Sequence, residues 1–576
     1  MNKKNLKVLG IHWGGHDTSA SITVNGKLLA AAEQERYDYI KHSRQFPTEA
    51  INDCLKIAKL KIKDIDIVAY GSIPKLEVRE RYHNLLEKFP ERKKFLTSDK
   101  STIKRNLNME QILRKKLNFK KKIDFNLHHL CHLYSTFCPS GFKKSLIISY
   151  DGIGEIGTAM FGIGYKDKIK IIHNKNNFPD SLGLIYSAIT FYLGWNHHCD
   201  EGIIMGLAPY GNAKEKIPKI NKTYIDIFKE IIVIDKNDPL KFKINLDWID
   251  YHKNKDTWVS KKFLSVFGKK RNNGEEILKR HKNIAAALQL RLEEVVLKQL
   301  KHLKSLHKIN YLCISGGVGL NCSLNGKISS NKIFKEIFVQ PASGDAGISY
   351  GACLVSTKRI NKSLKFKKNW NFYTGSRENE NDFNKILKKK KLNYKDYGNN
   401  VFKKTAQLLA EGKIIGWFQG SSEFGPRALG NRSIFCKPYP LNMKDYINKN
   451  VKFREKFRPF APAVMNEYLK KFFDIRQESP HMLIACKVKK NKKKIIPATV
   501  HVDGTCRVQS VSKKTNLRFW RLLKEFYKET NVPVLLNTSF NIKGQPIVNT
   551  SEDAIKCFLK YNINCLVLGN YILEKK

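Results

Sequence analysis

The sequence predicts an α/β protein with a duplicated fold in its N-terminal part and a second, smaller α/β unit at its C-terminal end. Three observations support this: short apolar strands alternate with helical patterns, one strand-and-glycine arrangement occurs twice, and the composition changes between residues 356 and 400. Alternation of strands and helices is typical of α/β proteins. The chain has 576 residues, which is enough for several domains of about 150 residues each.

The first predicted strands lie close to the N-terminus. Residues 6–13 (LKVLGIHW) form an apolar run that is followed by a glycine turn, and residues 20–33 read as two strands joined by Asn25 and Gly26. Asn-Gly suits a tight hairpin turn because both positions tolerate positive φ. After residue 47, apolar residues recur at helical spacing and predict a helix.

The same arrangement recurs in the middle of the chain. Residues 145–150 (SLIISY) form an apolar strand that ends at Asp151, and the glycine-rich stretch 153–165 is predicted to form a second hairpin. Two such units in one chain predict a duplicated fold. A long helix with one apolar stripe is expected over residues 284–307, followed by a strand at 311–315.

The composition change predicts the domain boundary, because apolar periodicity fades there and Lys, Asn and Glu dominate. Beyond it we expect a strand at 414–418, a lysine-tipped hairpin around 482–500 and a helix near 519–529. The predicted limits are 1–360 for the N-terminal domain, 361–400 for a linker and 401–576 for the C-terminal domain.

The charge balance is strongly basic: 105 Lys and Arg against 52 Asp and Glu give a net charge of +53. The lysines are spread in short runs along the whole chain, which favours a solvated basic surface, although a polyanionic partner also fits. The 12 cysteines contain no C-x-x-C pair, so reduced thiols in a cytoplasmic protein are expected. No apolar stretch of 18 residues predicts a membrane span.

One candidate site for a metal combines histidines and carboxylates. His128 and His132 are four residues apart, which places both imidazoles on one face of a helix. Asp151 follows a strand, and Asp345 lies in the glycine-bracketed SGDAG. Two histidines with one or two carboxylates suit iron, manganese or zinc. Spacing alone leaves open that the histidines are an ordinary surface or core pair.

Two further segments are candidates for binding a nucleotide. The turn SGGVGLN at 315–321 follows a strand and precedes a predicted helix, so its amides are suited to an anion, although many such turns only reverse the chain. Glu201, before MGLAPYG, is either a ribose-binding acid or part of an ordinary loop.

The C-terminal part contains cations set among Gly, Pro and Phe rather than among other lysines. They are Arg427, Arg432, Lys452, Arg454 and Arg458. Guanidinium groups hold phosphate by paired hydrogen bonds, and Arg507 and Asn537 add polar groups at strand ends. The alternative is that these arginines form structural pairs with Glu423 and Glu455.

Many long motifs together resemble the O-carbamoyltransferases of the NodU, CmcH and TobZ type. The resemblance runs from about residue 7 to residue 570 in the family's order, and the matching segments are GIHWGGHDTSAS, EQERYDYIKHSRQFP, HHLCHLYSTFCPSGF, FPDSLGLIYSAIT, MGLAPYG, SGGVGLNCSLNGK, QPASGDAG, GWFQGSSEFGPRALGNRS, VKFREKFRPFAPAV, HVDGTCRVQ and PVLLNTSFNIKGQPIV. Cys131 stands where the family more usually has Ser, and the sequence around Glu201 also varies.

The resemblance implies a fold and a reaction. The N-terminal domain would be actin-like, with the duplicated ribonuclease-H-like fold of the TsaD transferases, and the C-terminal domain would be YrdC-like. The C-terminal domain would make carbamoyl adenylate from ATP and carbamoyl phosphate. The N-terminal domain would then pass the carbamoyl group to a substrate hydroxyl and leave AMP.

The resemblance also implies roles for individual residues. The metal, expected to be Fe2+, would be bound by His128, His132, Asp151 and Asp345. His16 and Lys452 are the expected catalytic residues, with His16 as the general base. The carbamoyl-phosphate and adenylate pocket is expected at Arg427, Lys452, Arg458, Arg507 and Asn537, and further nucleotide contacts at Gly152, Glu201, Gly316, Gly317 and Asn321.

The acceptor is not fixed by the resemblance, which implies a small molecule or carbohydrate with a free hydroxyl. Nucleic acid is not an expected partner, and a homodimer is left open. The alternatives are a tRNA threonylcarbamoyl transferase, which would need threonine, bicarbonate and tRNA, and a non-enzymatic nucleic-acid-binding protein that relies on charge.

Overall fold

The computed structural model describes residues 5–218, 220–253 and 256–575. The chain forms two compact units. The N-terminal unit comprises Met1–Leu29, Arg44–Pro47 and Ala58–Asn369, and the C-terminal unit comprises Ala30–Ser43, Thr48–Ile57 and Trp370–Lys576. The sequence had not indicated that two segments between residues 30 and 57 would belong to the C-terminal unit.

The strands of the first 369 residues build two five-stranded sheets and one small two-stranded sheet. In chain order, β1 to β12 are Lys7–His12, Ser19–Val24, Lys27–Glu33, Ile67–Tyr70, Lys122–Phe125, Lys144–Tyr150, Gly157–Tyr165, Lys168–Asn177, Ile232–Ile234, Phe242–Ile244, Tyr311–Ser315 and Glu336–Val339. The α-helices of the N-terminal unit are Pro74–Glu77, Asn84–Lys88, Leu96–Leu107, Met109–Leu117, His128–Ser140, Leu182–Tyr192, Glu201–Leu207, Tyr224–Ile231, Lys261–Phe267, Lys279–His307, Cys322–Ser330 and Ile348–Ile360.

The two large sheets have the same topology. Their strand orders are β3-β2-β1-β4-β5 and β8-β7-β6-β11-β12, so each reads 3-2-1-4-5 in its own chain order. In the first sheet β1 pairs antiparallel with β2 and parallel with β4. In the second, β6 pairs antiparallel with β7 and parallel with β11. The predicted duplication is therefore confirmed by the strand topology.

The first predicted hairpin is correct, but the second was wrongly placed. Asn25 and Gly26 both have positive φ between β2 and β3, as predicted. The glycine-rich stretch 153–165 is not a hairpin: it contains a loop and then one strand, β7, which pairs with β8. The turn between them is at Lys166 and Asp167, both at positive φ, because this turn lies beyond the glycines that suggested it.

Close backbone contacts hold the helix His128–Ser140 in place. Gly351, on the helix Ile348–Ile360, lies so near this helix that an added Cβ would be 2.1 Å from the carbonyl oxygen of Cys131. A side chain there would push the two helices apart. Cys131 and Ile348 also belong to one buried apolar cluster with Val8, so the helices pack against the first sheet.

The C-terminal unit is a second α/β structure. Its strands, β13 to β25, are Tyr373–Arg377, Lys395–Asp396, Ile415–Phe418, Ser421–Glu423, Arg432–Cys436, Ala461–Met465, Phe473–Asp474, Ala485–Val488, Thr505–Arg507, Gln509–Val511, Val534–Ser539, Cys565–Leu568 and Tyr571–Glu574. Its α-helices are Glu35–Asp38, Thr48–Ala58 (which ends one residue beyond the unit), Glu380–Lys389, Val401–Ala410, Met443–Asn450, Leu469–Phe472, Leu517–Thr530 and Ser551–Lys560.

An eight-stranded sheet organises this unit, in the order β14-β25-β24-β15-β17-β23-β18-β22. Apolar residues of its central strands, among them Phe418, Ile434, Leu536 and Leu566, form one buried core. The hairpin predicted at 482–500 was too short. Strand β20 does pair antiparallel with a later strand, but that strand is β21, and the lysine run lies in the connection between them.

Candidate active site

The four predicted metal ligands lie together in the N-terminal unit. One ligand atom from each of His128, His132, Asp151 and Asp345 lies within 4.8 Å of all the others. The Nε2 atoms of His128 and His132 are 2.8 and 3.0 Å from the same oxygen, Oδ2 of Asp151. They are 3.6 and 3.9 Å from Oδ1 of Asp345.

The fold explains why these residues meet. His128 is the first residue of the helix His128–Ser140, and His132 follows one turn later on the same face. Asp151 comes directly after β6, and Asp345 follows the neighbouring parallel strand β12 in the second sheet. Ligands of open α/β sheets bind outside the carboxyl ends of parallel strands, and both carboxylates lie at that edge.

Backbone amides fix the Asp151 carboxylate. Its Oδ1 accepts hydrogen bonds from the N–H groups of Gly152 and Gly317, at 2.9 and 3.0 Å. The other oxygen, Oδ2, therefore faces the two imidazoles. A Cβ added to Gly317 would lie 2.9 Å from Asp151 Oδ1, so a side chain at this position would crowd the carboxylate. These two predicted nucleotide residues also orient a predicted metal ligand.

A third carboxylate supports the histidine helix from behind. Oε1 of the buried Glu155 accepts hydrogen bonds from the backbone N–H groups of His128 and Ile73, at 3.1 and 3.0 Å. A negative charge near the first turn complements the positive end of the helix dipole. Glu155 thus holds the backbone of the first histidine in place.

Burial and the carboxylates act in opposite directions on the histidines. Burial alone would lower the pKa of His128, but the charge of Asp345 and the hydrogen bond to Asp151 outweigh it and raise this pKa to about 9. For His132 burial dominates, and its pKa is lowered. The pKa of Asp151 lies well below its usual range, because the hydrogen bonds from the two histidines outweigh its burial.

This donor set fits a divalent metal. Donors that share one ion at about 2.1 Å are roughly 3 to 4 Å apart, and the four distances between the Nε2 atoms and the carboxylate oxygens, 2.8, 3.0, 3.6 and 3.9 Å, match that separation. Two imidazoles and two carboxylates suit iron, manganese or zinc. Within the described ranges, the buried Nδ1 of His132 has no hydrogen-bond partner, so Nε2 is the nitrogen that the fold presents to the carboxylates.

The predicted base lies in a histidine-rich surround. His16 Nδ1 is 2.9 Å from Asp17 Oδ2, and the His16 ring stacks on His198 at 5.5 Å. Burial, followed by the charge of His16, lowers the pKa of His198 to about 3. His12, which sequence reasoning missed, ends β1 and has its Nε2 3.3 Å from Asp345 Oδ2. Its position at a strand end was the signal that could have found it.

The other two predicted nucleotide residues have side chains already engaged. Glu201 Oε1 accepts from the hydroxyl of Ser187 and from the backbone N–H of His198, at 2.5 and 2.6 Å. Asn321 Oδ1 caps the helix Cys322–Ser330 by accepting from Leu324 N–H at 2.9 Å. Gly316 has φ of +85°, which lets the strand β11 end in a tight turn.

The C-terminal unit contains the predicted cation cluster, and Lys452 is its most buried member. The Lys452 ammonium donates to the backbone oxygens of Ser539 and Asn541, at 2.8 and 2.6 Å, and to Asn541 Oδ1 at 2.7 Å. These partners are all neutral. Burial, followed by the charges of Arg454 and Arg458, holds its pKa well below the usual range.

Three arginines lie within electrostatic reach of one another. Burial and then the charges of Arg458 and Arg507 lower the pKa of Arg454. Glu455 offsets part of this charge, 3.8 Å from Arg458, but it also pairs with Lys543 at 3.0 Å. Like charges held together favour binding of an anion that can accept charge-assisted hydrogen bonds.

The remaining two pocket residues are linked through the loop between β16 and β17. Arg427 lies in this loop, and the carbonyl oxygen of the next residue, Ala428, accepts a hydrogen bond from Asn537 Nδ2 at 3.2 Å. Asn537 is 1% exposed, on β23. The structure thus connects the Arg427 loop to a central strand of the sheet.

Arg432 is a structural residue, as the alternative interpretation allowed, although its main contacts are not with a carboxylate. Its guanidinium is fully buried and donates to the backbone oxygens of Gln419, Gly420, Asn431 and Ser376, at 2.7, 3.2, 3.1 and 3.0 Å. It also lies 3.7 Å over the ring of Phe418. All its donors thus serve the fold.

Replacing Arg432 by Met is expected to lower the free energy of unfolding by at least about 3 kcal/mol, because each buried carbonyl left unpaired costs roughly 1–3 kcal/mol. Urea denaturation measures this change. The matched control is Lys390→Met, which removes an exposed ion pair with Glu552 and should cost at most about 1 kcal/mol. Equal stability of the two variants would show that Arg432 does not hold the fold.

Comparisons with known proteins agree with this architecture. The family model for the carbamoyltransferase N-terminus matches residues 7–354, and that for the carbamoyltransferase C-terminus matches residues 406–575. Among the described residues, none of the helices combines the length and apolar character needed to cross a membrane.

Three relatives illustrate the similarity. An uncharacterized protein of Synechocystis sp. is 34% identical over 99% of this chain and 96% of its own length. The nodulation protein NolNO of Sinorhizobium fredii is 36% identical over 97% of this chain and 79% of its own. The 3'-hydroxymethylcephem-O-carbamoyltransferase of Streptomyces clavuligerus is 33% identical over 45% of this chain and 48% of its own. The chain therefore belongs to the carbamoyltransferase family, of the NodU type, and is an enzyme that transfers carbamoyl groups.

Proposed function

We propose that this enzyme is an ATP-dependent O-carbamoyltransferase that works in two steps. In the first step carbamoyl phosphate is cleaved to phosphate and carbamate, and a carbamate oxygen displaces pyrophosphate from ATP to give carbamoyl adenylate. In the second step a substrate hydroxyl attacks the carbamoyl carbon, AMP leaves, and the hydroxyl proton passes to a base.

The observation that carries this proposal is the cation cluster of the C-terminal unit. Lys452, Arg454, Arg458 and Arg507 lower one another's pKa values or share partners that do so. Such a cluster is stabilised by a polyanionic ligand, and carbamoyl phosphate and the phosphates of ATP are both of that kind. We assign the first step to this unit, which we take to be YrdC-like.

We assign the second step to the N-terminal unit, which we take to be TsaD-like because of its duplicated sheets. His128, His132, Asp151 and Asp345 would hold a divalent metal, for which iron is our choice. When bound, the metal would supply Lewis-acid polarisation of the carbamoyl oxygen.

His16 is proposed to take the proton from the attacking hydroxyl. Its Nδ1 is paired with Asp17, which leaves Nε2 as the nitrogen that receives the proton. General base catalysis of this kind contributes on the order of 10² to 10⁴ in rate. The amides of Gly152 and Gly317 would act by keeping Asp151 in its orientation.

We propose a small molecule or a carbohydrate as the acceptor. The relative from Streptomyces clavuligerus is named for O-carbamoylation of a 3'-hydroxymethylcephem, which is a small molecule with a free hydroxyl. This supports the same class of acceptor here without fixing its identity.

The test is to incubate the protein with ATP, carbamoyl phosphate, Fe2+ and a panel of hydroxyl compounds, and to analyse the mixture by mass spectrometry. We expect a product heavier by one carbamoyl unit, formed with AMP and only when carbamoyl phosphate is present. Product formation that instead requires threonine, bicarbonate and tRNA would replace the proposal by a tRNA-modifying activity.

A further inference from the structure

Two buried side-chain amides form a short chain across the sheet of the C-terminal unit. Asn537 on β23 and Gln509 on β22 lie on strands that flank β18, opposite Ala461 and Ala463 respectively. Each of the two amides is 1% exposed. Gln509 Oε1 accepts a hydrogen bond from Asn537 Nδ2 at 2.8 Å.

Backbone carbonyls fix the orientation of both amides. The carbonyl oxygen of Leu429 accepts from Gln509 Nε2 at 2.8 Å, so Gln509 must turn its oxygen toward Asn537. Asn537 must then present Nδ2, which also donates to the carbonyl oxygen of Ala428 at 3.2 Å. Rotating either amide by 180° would set oxygen against oxygen, and a carbonyl oxygen has no proton to donate.

This arrangement leaves one acceptor over. Both N–H groups of Asn537 are used, whereas its buried Oδ1 has no hydrogen-bond partner in the described part of the chain. Buried polar atoms are nearly always paired, so Oδ1 is positioned for an N–H donor that a ligand brings.

The surroundings indicate which ligand brings this donor. Ala428 and Leu429 directly follow Arg427, and Arg507 precedes Gln509 by two residues. The buried Nε of Arg507 also lacks a hydrogen-bond partner among residues 5–218, 220–253 and 256–575. A ligand that suits this place carries an N–H donor at one end and phosphate oxygens for the arginines at the other. Carbamoyl phosphate has both.

We propose that Gln509 is a positioning residue that locks the Asn537 amide, so that Asn537 Oδ1 accepts a hydrogen bond from the NH2 of carbamoyl phosphate and rejects acyl phosphates with a methyl group there. The proposal rests on the proposed function, because it assigns carbamoyl phosphate to this unit. It adds the means by which the site distinguishes an amide from an acyl group of the same size.

The test compares carbamoyl phosphate with acetyl phosphate, which has a methyl group in place of the NH2. A site built around a hydrogen bond rejects an analogue that lacks it by about 10⁴ to 10⁵, so we expect the native enzyme to release pyrophosphate with carbamoyl phosphate at least about 10³ times more efficiently. In Gln509→Met we expect the KM for carbamoyl phosphate to rise about 10-fold to 100-fold, which is the tenfold-per-1.4 kcal/mol equivalent of one to two ordinary hydrogen bonds.

Three readouts separate positioning from a general structural role. In Gln509→Met the KM for ATP, the activity with acetyl phosphate and the Kd for inorganic phosphate should stay within about threefold of native values, because these ligands do not use Asn537 Oδ1. Gln509→Glu keeps an acceptor for Asn537 Nδ2 and should restore part of the discrimination. The Kd values are measured by calorimetry on the full chain.

Several outcomes would overturn the proposal. An unchanged preference for carbamoyl phosphate in Gln509→Met would show that the amide is not locked by this residue. A rise in the KM for ATP, with loss of discrimination against inosine triphosphate, would show that the acceptor reads the adenine amino group instead. Loss of phosphate binding together with all activities would show a structural role. If the native enzyme releases no pyrophosphate, the proposed function fails, and the calorimetric preference for carbamoyl over acetyl phosphate still tests the amide.

Discussion

His132→Ala is expected to lose its metal and the transfer of the carbamoyl group, while pyrophosphate release in the presence of carbamoyl phosphate continues. His132 is fully buried, and its Nε2 is 3.0 Å from Asp151 Oδ2. A bound metal contributes several kcal/mol of charge stabilisation, and each 1.36 kcal/mol is tenfold in rate. We therefore expect transfer to fall by at least about 10³-fold. Metal content by mass spectrometry and product formation measure the two effects.

The control for this variant is His302→Ala, on the helix Lys279–His307 and outside the donor set. It should retain metal and transfer. Full metal occupancy in His132→Ala would contradict the ligand assignment, and an equal loss of pyrophosphate release would contradict the division of the reaction between two units.

Arg458→Ala is expected to show the opposite pattern. Pyrophosphate release driven by carbamoyl phosphate should fall at least about 100-fold, because a charge-assisted hydrogen bond to phosphate is worth about 1.5–3 kcal/mol and its neighbours Arg454 and Lys452 depend on the same anion. Metal content should be unchanged, since none of the proposed metal ligands is in the C-terminal unit.

Lys543→Ala is the matched control for this second variant. Lys543 pairs with the same carboxylate, Glu455, at 3.0 Å, and its side chain is 44% exposed, so its removal should change pyrophosphate release by less than about threefold. Normal release in Arg458→Ala would show that the cluster does not bind carbamoyl phosphate.

Much of the fold follows from local patterns. The strand predicted at 311–315 is Tyr311–Ser315, and the helix predicted near 519–529 is Leu517–Thr530. Both have strong apolar periodicity, and the helix Leu517–Thr530 begins at Asn516, whose side chain accepts from Phe519 N–H. Polar side chains at strand ends likewise pointed to the four proposed metal ligands, because parallel strands of one sheet end at a common edge.

Other features depend on contacts between distant residues, which local patterns do not contain. The strand that pairs with β20 lies beyond a lysine-rich connection, and nothing within that connection indicates its length. Arg432 looks like its cationic neighbours in sequence, yet its donors bind backbone oxygens from residues 376 to 431. Gln509 has no distinguishing motif, and its orientation follows only from the carbonyl of Leu429.

Exchange of labelled pyrophosphate into ATP tests the central claim most directly, since the claim is that the C-terminal unit forms carbamoyl adenylate before any acceptor is carbamoylated. The assay contains ATP, carbamoyl phosphate and labelled pyrophosphate, but no hydroxyl acceptor. We predict that label enters ATP only when carbamoyl phosphate is present, in the native enzyme and in His132→Ala but not in Arg458→Ala. Carbamoylation of an acceptor with no such exchange, or with ADP rather than AMP as the product, would contradict the account.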